Sequence, residues 1–506
     1  MAPLALAAVA EHVGATLVGG DADVRGVTHD SRDVRPGDLY AALPGFRTHG
    51  AEFVAQAAAS GAAAVLTDPG GEARARTTGL PVLVHDDPRS VLGAVSSFVY
   101  GDPSADLLVI GITGTNGKTT TAFLVDAGLR AAGRTAGLIG TVGTRIGDEA
   151  VPTVRTTPEA TDVHALLAVM RERGVDAVTM EVSSHALRLG RVDGVRFDVA
   201  GFTNLSPDHL DFHIDMEDYA AAKAELFSAS RASRAVVCID SEWSARMLDR
   251  ARAEGLSVTT CATRADAGVA DWSVSGVVEV PGGTVARAHG PGGIDLPLEV
   301  RLPGDFNLAN GLLALGLLAG AGIDPAVAAD GIADCAGVPG RMERVPDPDV
   351  GRGLVALVDY AHTPDAVERA TAAARRGSAG RLVVVVGAGG DRDPHKRPGM
   401  GAAAARGADV VVVTDDNPRS EDPASIRAAV LAGAHEAGGA ETAEVGDRRW
   451  AIRRAVLLAR RGDVVLILGK GHEQGQDVAG TVTPFDDRVA LAEALAATAE
   501  DDEDAT

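Results

Sequence analysis

An apolar run that ends in a glycine-rich turn and passes straight into a helical pattern constrains this chain more than any other feature. Leu107-Leu-Val-Ile-Gly-Ile-Thr113 reads as a strand buried on both faces, and Gly114-Thr-Asn-Gly117 makes the chain wrap tightly before a helix predicted from about Lys118 to Ala132. Strand, loop and helix in that order turn backbone amides and a helix N-terminus toward an anion. Lys118 is placed to bridge the β- and γ-phosphates of a nucleotide, and Thr119 to set a hydroxyl on Mg2+. The first glycine of the usual G-x4-G-K-[ST] pattern would fall at Ile112, so Gly111-Ile-Thr-Gly-Thr-Asn-Gly-Lys-Thr-Thr120 is a variant of that loop. Of 47 Lys and Arg, only Lys118, Lys223, Lys396 and Lys470 are Lys. Lys is a compact charge with a movable pKa and a reactive amine, which Arg cannot imitate. All four stand in Gly-rich or charge-rich segments.

A length of 506 residues exceeds one ordinary core and suggests three domains. The expected architecture is α/β throughout. A small N-terminal α/β domain spans 1–103, a central phosphate-loop domain with a parallel sheet spans 104–337, and a C-terminal Rossmann-like domain spans 338–498. Glu500-Asp-Asp-Glu-Asp504 suggests a solvated, disordered acidic tail over 499–506. The first domain carries an apolar start read as a core helix, a helix over 51–64, the strand Ala64-Val-Leu66 and a linker at Asp102-Pro-Ser104. Central strands are expected at 177–182, 199–203 and 235–239, more β structure over 258–302, and a helix at 308–321. Short apolar runs alternating with helical patterns are the signature of parallel sheets flanked by helices.

In the third domain, strands at 354–359, 382–386, 410–414 and 464–468 each end in a polar cluster. These are Asp359-Tyr-Ala-His362, Gly387-Ala-Gly-Gly-Asp-Arg392, Asp415-Asp-Asn-Pro-Arg419 and Gly469-Lys-Gly-His-Glu473. Ligands of such sheets bind at the carboxyl ends of the strands.

A net charge of −23 argues against a nucleic-acid partner. Cys238, Cys261 and Cys335 form no metal-binding spacing and suit a reducing cytoplasm. No apolar run approaches the ~20 residues of a membrane helix.

The phosphate-loop variant resembles that of the Mur ligase family, ATP-dependent amide-forming enzymes that include folylpolyglutamate synthetases. The resemblance extends through Met180-Glu-Val-Ser-Ser-His-Ala-Leu187, Thr203-Asn-Leu-Ser-Pro-Asp-His-Leu-Asp-Phe-His213, Tyr219-Ala-Ala-Ala-Lys-Ala-Glu-Leu-Phe227, Gly304-Asp-Phe-Asn-Leu-Ala-Asn310 and Val338-Pro-Gly-Arg-Met-Glu-Arg344. Asp30-Ser-Arg32, Asp359-Tyr-Ala-His-Thr-Pro364, Gly390-Asp-Arg-Asp393 and Asp416-Asn-Pro-Arg419 are similar to the branch that adds a diamino acid to UDP-N-acetylmuramoyl-L-alanyl-D-glutamate in peptidoglycan synthesis.

The resemblance implies roles residue by residue. Lys118, Glu181, His209 and Lys223 would be catalytic, with Thr119, Glu181, His209 and Lys223 around Mg2+ and Lys223 carboxylated by CO2. ATP would meet Gly114, Thr115, Asn116, Gly117, Lys118, Thr119 and Thr120, with Asn310 at the adenine, Arg341 at a phosphate and Asp359 at the ribose. Ser31, Thr156, Thr157, Ser183 and Arg191 would hold the UDP-linked substrate; Leu189 stands where some relatives carry Gln. Diaminopimelate would meet Arg392, Asp416, Asn417, Pro418, Arg419, Gly469 and Glu473. The Arg419 fork suits its distal carboxylate and would lie unpaired against lysine. Lys396 and Lys470 are left without a role.

The expected protein is therefore a cytoplasmic, monomeric ligase with small-molecule substrates. The alternatives are the L-lysine-adding version, a folylpolyglutamate-type ligase, and a non-catalytic nucleotide-binding regulator.

Overall fold

The computed structural model of the chain describes residues 3–45, 48–151, 155–280, 282–349, 353–376 and 380–503. Its three large sheets follow one another along the chain. The first has five strands in the order Thr16–Val18, Val82–Val84, Ala64–Thr67, Asp38–Ala42, Gly26–Thr28, parallel except at the Thr16–Val18 edge. The second has eleven strands. Its parallel heart runs Ala136–Gly140, Ala177–Glu181, Leu108–Thr113, Phe197–Phe202, Ala232–Cys238, Ser257–Ala262, Trp272–Val280, and antiparallel strands extend both ends. The third has six strands in the order Glu343–Val345, Val355–Asp359, Val464–Leu468, Leu382–Val386, Val410–Val413, Glu441–Glu444. All but the first of these are parallel.

The unbroken valine runs explain why these strands lie inside. In the third sheet Val384 and Val386 join one apolar cluster while Val383 and Val385 join the other, and Val411 and Val413 alternate with Val410 and Val412 in the same way. Successive side chains point to opposite faces, so a run apolar at every position needs helices on both sides. The central sheet repeats the rule, with Ile110 and Ile112 on one face and Val109 on the other.

Several local expectations need correction. Leu4–Ala5 pairs with Asp23–Val24 as a short strand, so the first helix is Leu6–Val13; Met1 and Ala2 lie outside the described residues. The helix expected over 51–64 is a 3-10 turn, Gly50–Phe53, followed by only Val54–Ala59. It stops before Gly61, whose φ of 97° belongs to the left-handed region. The expected linker at 102–104 enters the 3-10 turn Pro103–Asp106, with Pro103 and Ser104 buried. The final helix, Asp487–Glu503, runs on through most of the acidic stretch expected to be an irregular tail, because its Ala-rich turns propagate the ladder. Residues 504–506 lie outside the described residues. Among the described residues no helix is long and apolar enough to cross a membrane.

The third unit is pinned by a fully buried ion pair. Arg448 Nε and Nη2 donate to Asp487 Oδ1 and Oδ2, each at 2.7 Å, and Nη2 also donates to Leu468 O at 2.9 Å. Both side chains have no exposed surface. Removing one partner strands the other charge. Asp487→Ala is expected to cost about 3–5 kcal/mol, seen as early unfolding of the third unit in a denaturant titration. Loss of less than about 1 kcal/mol, the usual size for exposed pairs, would contradict this account.

Candidate active site

The phosphate loop follows the strand Leu108–Thr113, which lies between Ala177–Glu181 and Phe197–Phe202. Gly117 (φ 87°) caps the helix Lys118–Ala131. A Cβ there would come within 2.3 Å of Asn310 Oδ1, and one at Gly114 within 1.8 Å of Thr203 Oγ1. Both glycines are therefore required by close approach as well as by conformation. The segment that follows the strand Phe197–Phe202 supports the loop as a shelf. Thr115 N donates to Asn204 O (2.8 Å), Asn116 N to Asn204 Oδ1 (3.1 Å), and Thr203 Oγ1 to Asn116 O (2.6 Å). Thr120, in the first turn of the helix, is buried behind the loop.

Lys118 curls back into this loop, its Nζ donating to Gly114 O and Thr115 O, both at 2.8 Å. Lys223, on the helix Met216–Ala224, is 1% exposed, and its Nζ donates to the same Gly114 oxygen at 2.8 Å. The amine also lies 4.4 Å from the centre of the Tyr219 ring. Burial, reinforced by the like charge of Lys118 and opposed by Asp208, pushes Lys223 well below the ordinary lysine range. Burial lowers Lys118 as well, against the pull of Glu181 and Asp208.

Glu181 ends its strand beside the loop and is 1% exposed. It accepts from Thr119 Oγ1 (2.9 Å), Thr141 Oγ1 (3.0 Å) and Thr141 N (2.7 Å). These donors are neutral. Among the described residues no cationic side chain is recorded within 4 Å of this carboxylate. A buried carboxylate beside two hydroxyl oxygens is the hard-oxygen set that suits Mg2+. The described residues hold no cluster of three or more His, Cys, Asp and Glu able to bind a metal by themselves.

His209 stands across the cavity with φ 56°, rare for a residue with a Cβ. Burial lowers its imidazole to about 3, with His185, Lys223 and Lys118 adding to the effect against Asp208. Its ring is therefore neutral, with a lone pair free. Asp208 is 8% exposed. Burial alone would raise its carboxyl, but His209, His362 and Lys396 together with the His209 amide hold it at about 2.

Residues of the third unit close the site. Arg341 Nη2 donates to Thr119 Oγ1 (3.2 Å), and its guanidinium lies 4.3 Å from the Tyr360 ring centre. Its buried Nη1 has no hydrogen-bond partner among the described residues. Asn116 Nδ2 reaches Asp365 Oδ2 at 3.1 Å, and Lys396 Nζ lies 3.8 Å from Asp208 Oδ1. Asp359 accepts from the amides of Met342 (2.7 Å) and Ala361 (2.8 Å), and Asn310 Nδ2 donates to Asn307 Oδ1 at 3.0 Å. The cavity so formed, about 910 Å³, is lined by Thr119, Glu181, His209, Asn310, Arg341 and Asp359.

Two further groups flank it. Toward the first unit, Thr157 Oγ1 donates to Glu181 O (2.8 Å) and accepts from Ser183 N (3.1 Å), and the Thr141 and Thr156 hydroxyls lie within hydrogen-bond distance of each other (3.0 Å). Arg191 pairs with the buried Glu159 at 2.9 Å, and Arg89 and Arg155 approach the same carboxylate. Ser31 stays within the first unit, bonded to Gln56 (3.3 Å), while His29 reaches Thr161 at 3.2 Å. In the third unit, Asn417 Nδ2 donates to Glu473 Oε2 (2.8 Å) and Arg419 Nη1 to Gly390 O (2.6 Å). Asp416 and Pro418 are buried, and a Cβ on Gly469 would meet Asp416 Oδ2 at 2.4 Å. Arg392 is exposed, and its charge is felt at His185.

Comparison with known proteins agrees with this geometry. Residues 23–100 match the model "Mur ligase family, catalytic domain", 112–318 "Mur ligase middle domain" and 340–471 "Mur ligase, glutamate ligase domain". The chain belongs to the Mur ligase family. Like other Mur ligases it is an ATP-dependent ligase. It is 56% identical over 493 residues to UDP-N-acetylmuramoyl-L-alanyl-D-glutamate--2,6-diaminopimelate ligase of Streptomyces avermitilis, covering 97% of this chain and 96% of that one. It is 49% identical over 490 residues to the UDP-N-acetylmuramyl-tripeptide synthetase of Leifsonia xyli, covering 94% of each. A solved 2,6-diaminopimelate ligase superposes with a TM-score of 0.65 at 32% identity, over 94% of this chain and 96% of its own.

Sequence reasoning missed Thr141, which follows a glycine-ended strand with no motif to mark it. It also passed over Asp208, though the residue lies inside a quoted segment, and left Lys396 unassigned.

The Lys223 shift has a direct consequence for stability. A lysine whose folded pKa lies below its unfolded value binds its proton more readily in the unfolded chain, so it disfavours the fold at low and neutral pH. The penalty fades as pH rises through the folded value toward the ordinary lysine value. In CO2-depleted buffer near neutral pH, Lys223→Met is expected to raise the thermal midpoint, with the gap to wild type narrowing at alkaline pH. A lower midpoint at every pH would mean that the bond to Gly114 outweighs the burial cost.

Proposed function

We propose that this Mur ligase joins 2,6-diaminopimelate to UDP-N-acetylmuramoyl-L-alanyl-D-glutamate in peptidoglycan precursor synthesis, with ATP cleaved to ADP and phosphate. The observation that carries the reading is the meeting of Lys118, Lys223 and Glu181 around one end of the phosphate loop, with Arg341 arriving from the third unit. The choice of substrates is supported by the 56% identity to a ligase of that name over nearly the whole chain.

A carboxylate does not condense with an amine unaided. Its oxygen attacks the γ-phosphorus of ATP, the bond to ADP breaks, and an acyl phosphate forms. The amine then attacks the acyl carbon, phosphate leaves, and the amine gives up a proton. Both steps gather negative charge, which fixed cations offset. Lys118 exchanges the carbonyls of its own loop for phosphate oxygens. Arg341 supplies its unpartnered Nη1 to the same group. Asn310 and Asp359 take the adenine and ribose. Thr119 and Glu181 would hold one Mg2+, and His209 with carboxylated Lys223 a second; bound there, the cations offset phosphoryl charge. A depressed Lys223 pKa favours the neutral amine, the form that reacts with CO2. Ser31, Thr156, Thr157, Ser183 and Arg191 hold the UDP-linked substrate. Asp416, Asn417, Pro418, Gly469, Glu473 and Arg392 shape the amino-acid pocket. Arg419 spends Nη1 on Gly390 and keeps its other donors for a distal carboxylate. The enzyme works as a monomer and in the cytoplasm, the latter in keeping with three unpaired cysteines.

Purified protein supplied with UDP-linked dipeptide, ATP and Mg2+ is expected to release phosphate with diaminopimelate and far less with L-lysine; release with lysine or glutamate alone would overturn the substrate assignment. Arg419→Ala is expected to erase about 10- to 100-fold of the preference for diaminopimelate, and unchanged selectivity would move recognition elsewhere. Lys223→Ala is expected to lose nearly all turnover without rescue by bicarbonate.

A further inference from the structure

Lys470 lies wholly inside the third unit and has no part in the reaction as set out above. It follows the strand Val464–Leu468, and its side chain has no exposed surface. Its Nζ donates to Asn417 Oδ1 at 2.9 Å and to Glu473 Oε2 at 3.0 Å. Asn417 Oδ1 also accepts from the Asp477 amide at 3.0 Å, while Nδ2 donates to Glu473 Oε2 at 2.8 Å. Two N–H donors on Oδ1 fix the amide in one orientation, because a flipped Nδ2 would face an ammonium and a backbone N–H. Both hydrogen bonds that Glu473 accepts from these partners fall on Oε2. Its Oε1 is recorded with no partner among the described residues, and the side chain keeps 30% of its surface.

Charge balance permits a second cation here. Lys470 offsets Glu473. Arg448, 4.0 Å from Asp416, is already satisfied by Asp487. That leaves Asp416, against Gly469, as a further negative charge near the same pocket. Arg could not replace Lys470, since a five-donor fork would bury more N–H groups than these two acceptors can satisfy.

We propose that Lys470 is a positioning residue: by locking Asn417 and one oxygen of Glu473 it presents Glu473 Oε1, at a fixed angle, to the distal ammonium of the incoming diamino acid. This rests on reading the pocket as the amino-acid site. Arg419 then answers the distal carboxylate and Glu473 the distal amine, so both groups on the far end of the substrate are read.

The test compares diaminopimelate with 2-aminopimelate, which keeps both carboxylates and the reacting amine but lacks the distal amine. With full-length wild-type protein, ATP and UDP-linked dipeptide, the KM for 2-aminopimelate is expected to be about 10- to 100-fold higher. Lys470→Met is expected to raise the KM for diaminopimelate by a comparable factor, while the KM for ATP, for the dipeptide and for 2-aminopimelate each stays within about twofold. An equal penalty on both amino acids would make Lys470 a merely structural residue and overturn the inference. A wild-type enzyme that does not distinguish the two amino acids overturns it without any variant, which covers a Lys470→Met protein that fails to fold. No turnover of diaminopimelate would instead defeat the reading of the pocket itself.

Discussion

Two lysine amines donate to one carbonyl oxygen. Lys118 and Lys223 arrive at Gly114 O from different helices, each at 2.8 Å, and like charges that close in a dry setting are unfavourable together. The fold tolerates the conflict because everything around it is rigid. The loop hangs on the Thr203–Asn204 shelf, the sheet beneath is closed on both faces, and Glu181 and Asp208 stand near enough to soften the repulsion. An anion beside them would ease the crowding, and both anions of the proposed reaction, a phosphate at Lys118 and a carboxylate on Lys223, would supply it.

Assembly of the cavity follows from where strands end. In both large parallel sheets the groups proposed for catalysis and binding sit at the carboxyl ends, and the two edges face each other across one cavity. Arg341 and Lys396 from one side meet Thr119 and Asp208 from the other. A nucleotide bound there as proposed would touch both units, so closure and exclusion of water from a hydrolysable anhydride would come from the same contacts.

Much of this was legible in the chain. Valine runs apolar at every position predict strands covered on both faces, and the alternation of Val383 to Val386 between two cores is that rule in three dimensions. Glycines before a lone lysine predicted the loop, and the scarcity of lysine pointed to four residues, three of which, Lys118, Lys223 and Lys396, the structure brings near Asp208. Thr141 was not legible, because its role comes from strand order, which sets Ala136–Gly140 beside Ala177–Glu181. Nor was the pairing of Lys396 with Asp208, since they meet only where two units touch. Short-range errors had local causes. Leu4–Ala5 took a strand partner instead of joining a helix, and Gly61 ended a helix that alanine content alone would have prolonged.

The placement of the lysines has a consequence for how the molecule meets the outside world. Lys223 and Lys470 are sealed, and Lys396 shows 16% of its side chain against the central unit. Lys118 is curled into its own loop. The outer surface therefore offers arginine but almost no amine. An endoprotease that cuts only after lysine would find no ready site on the folded protein, and each cut it made would report a local opening of the fold.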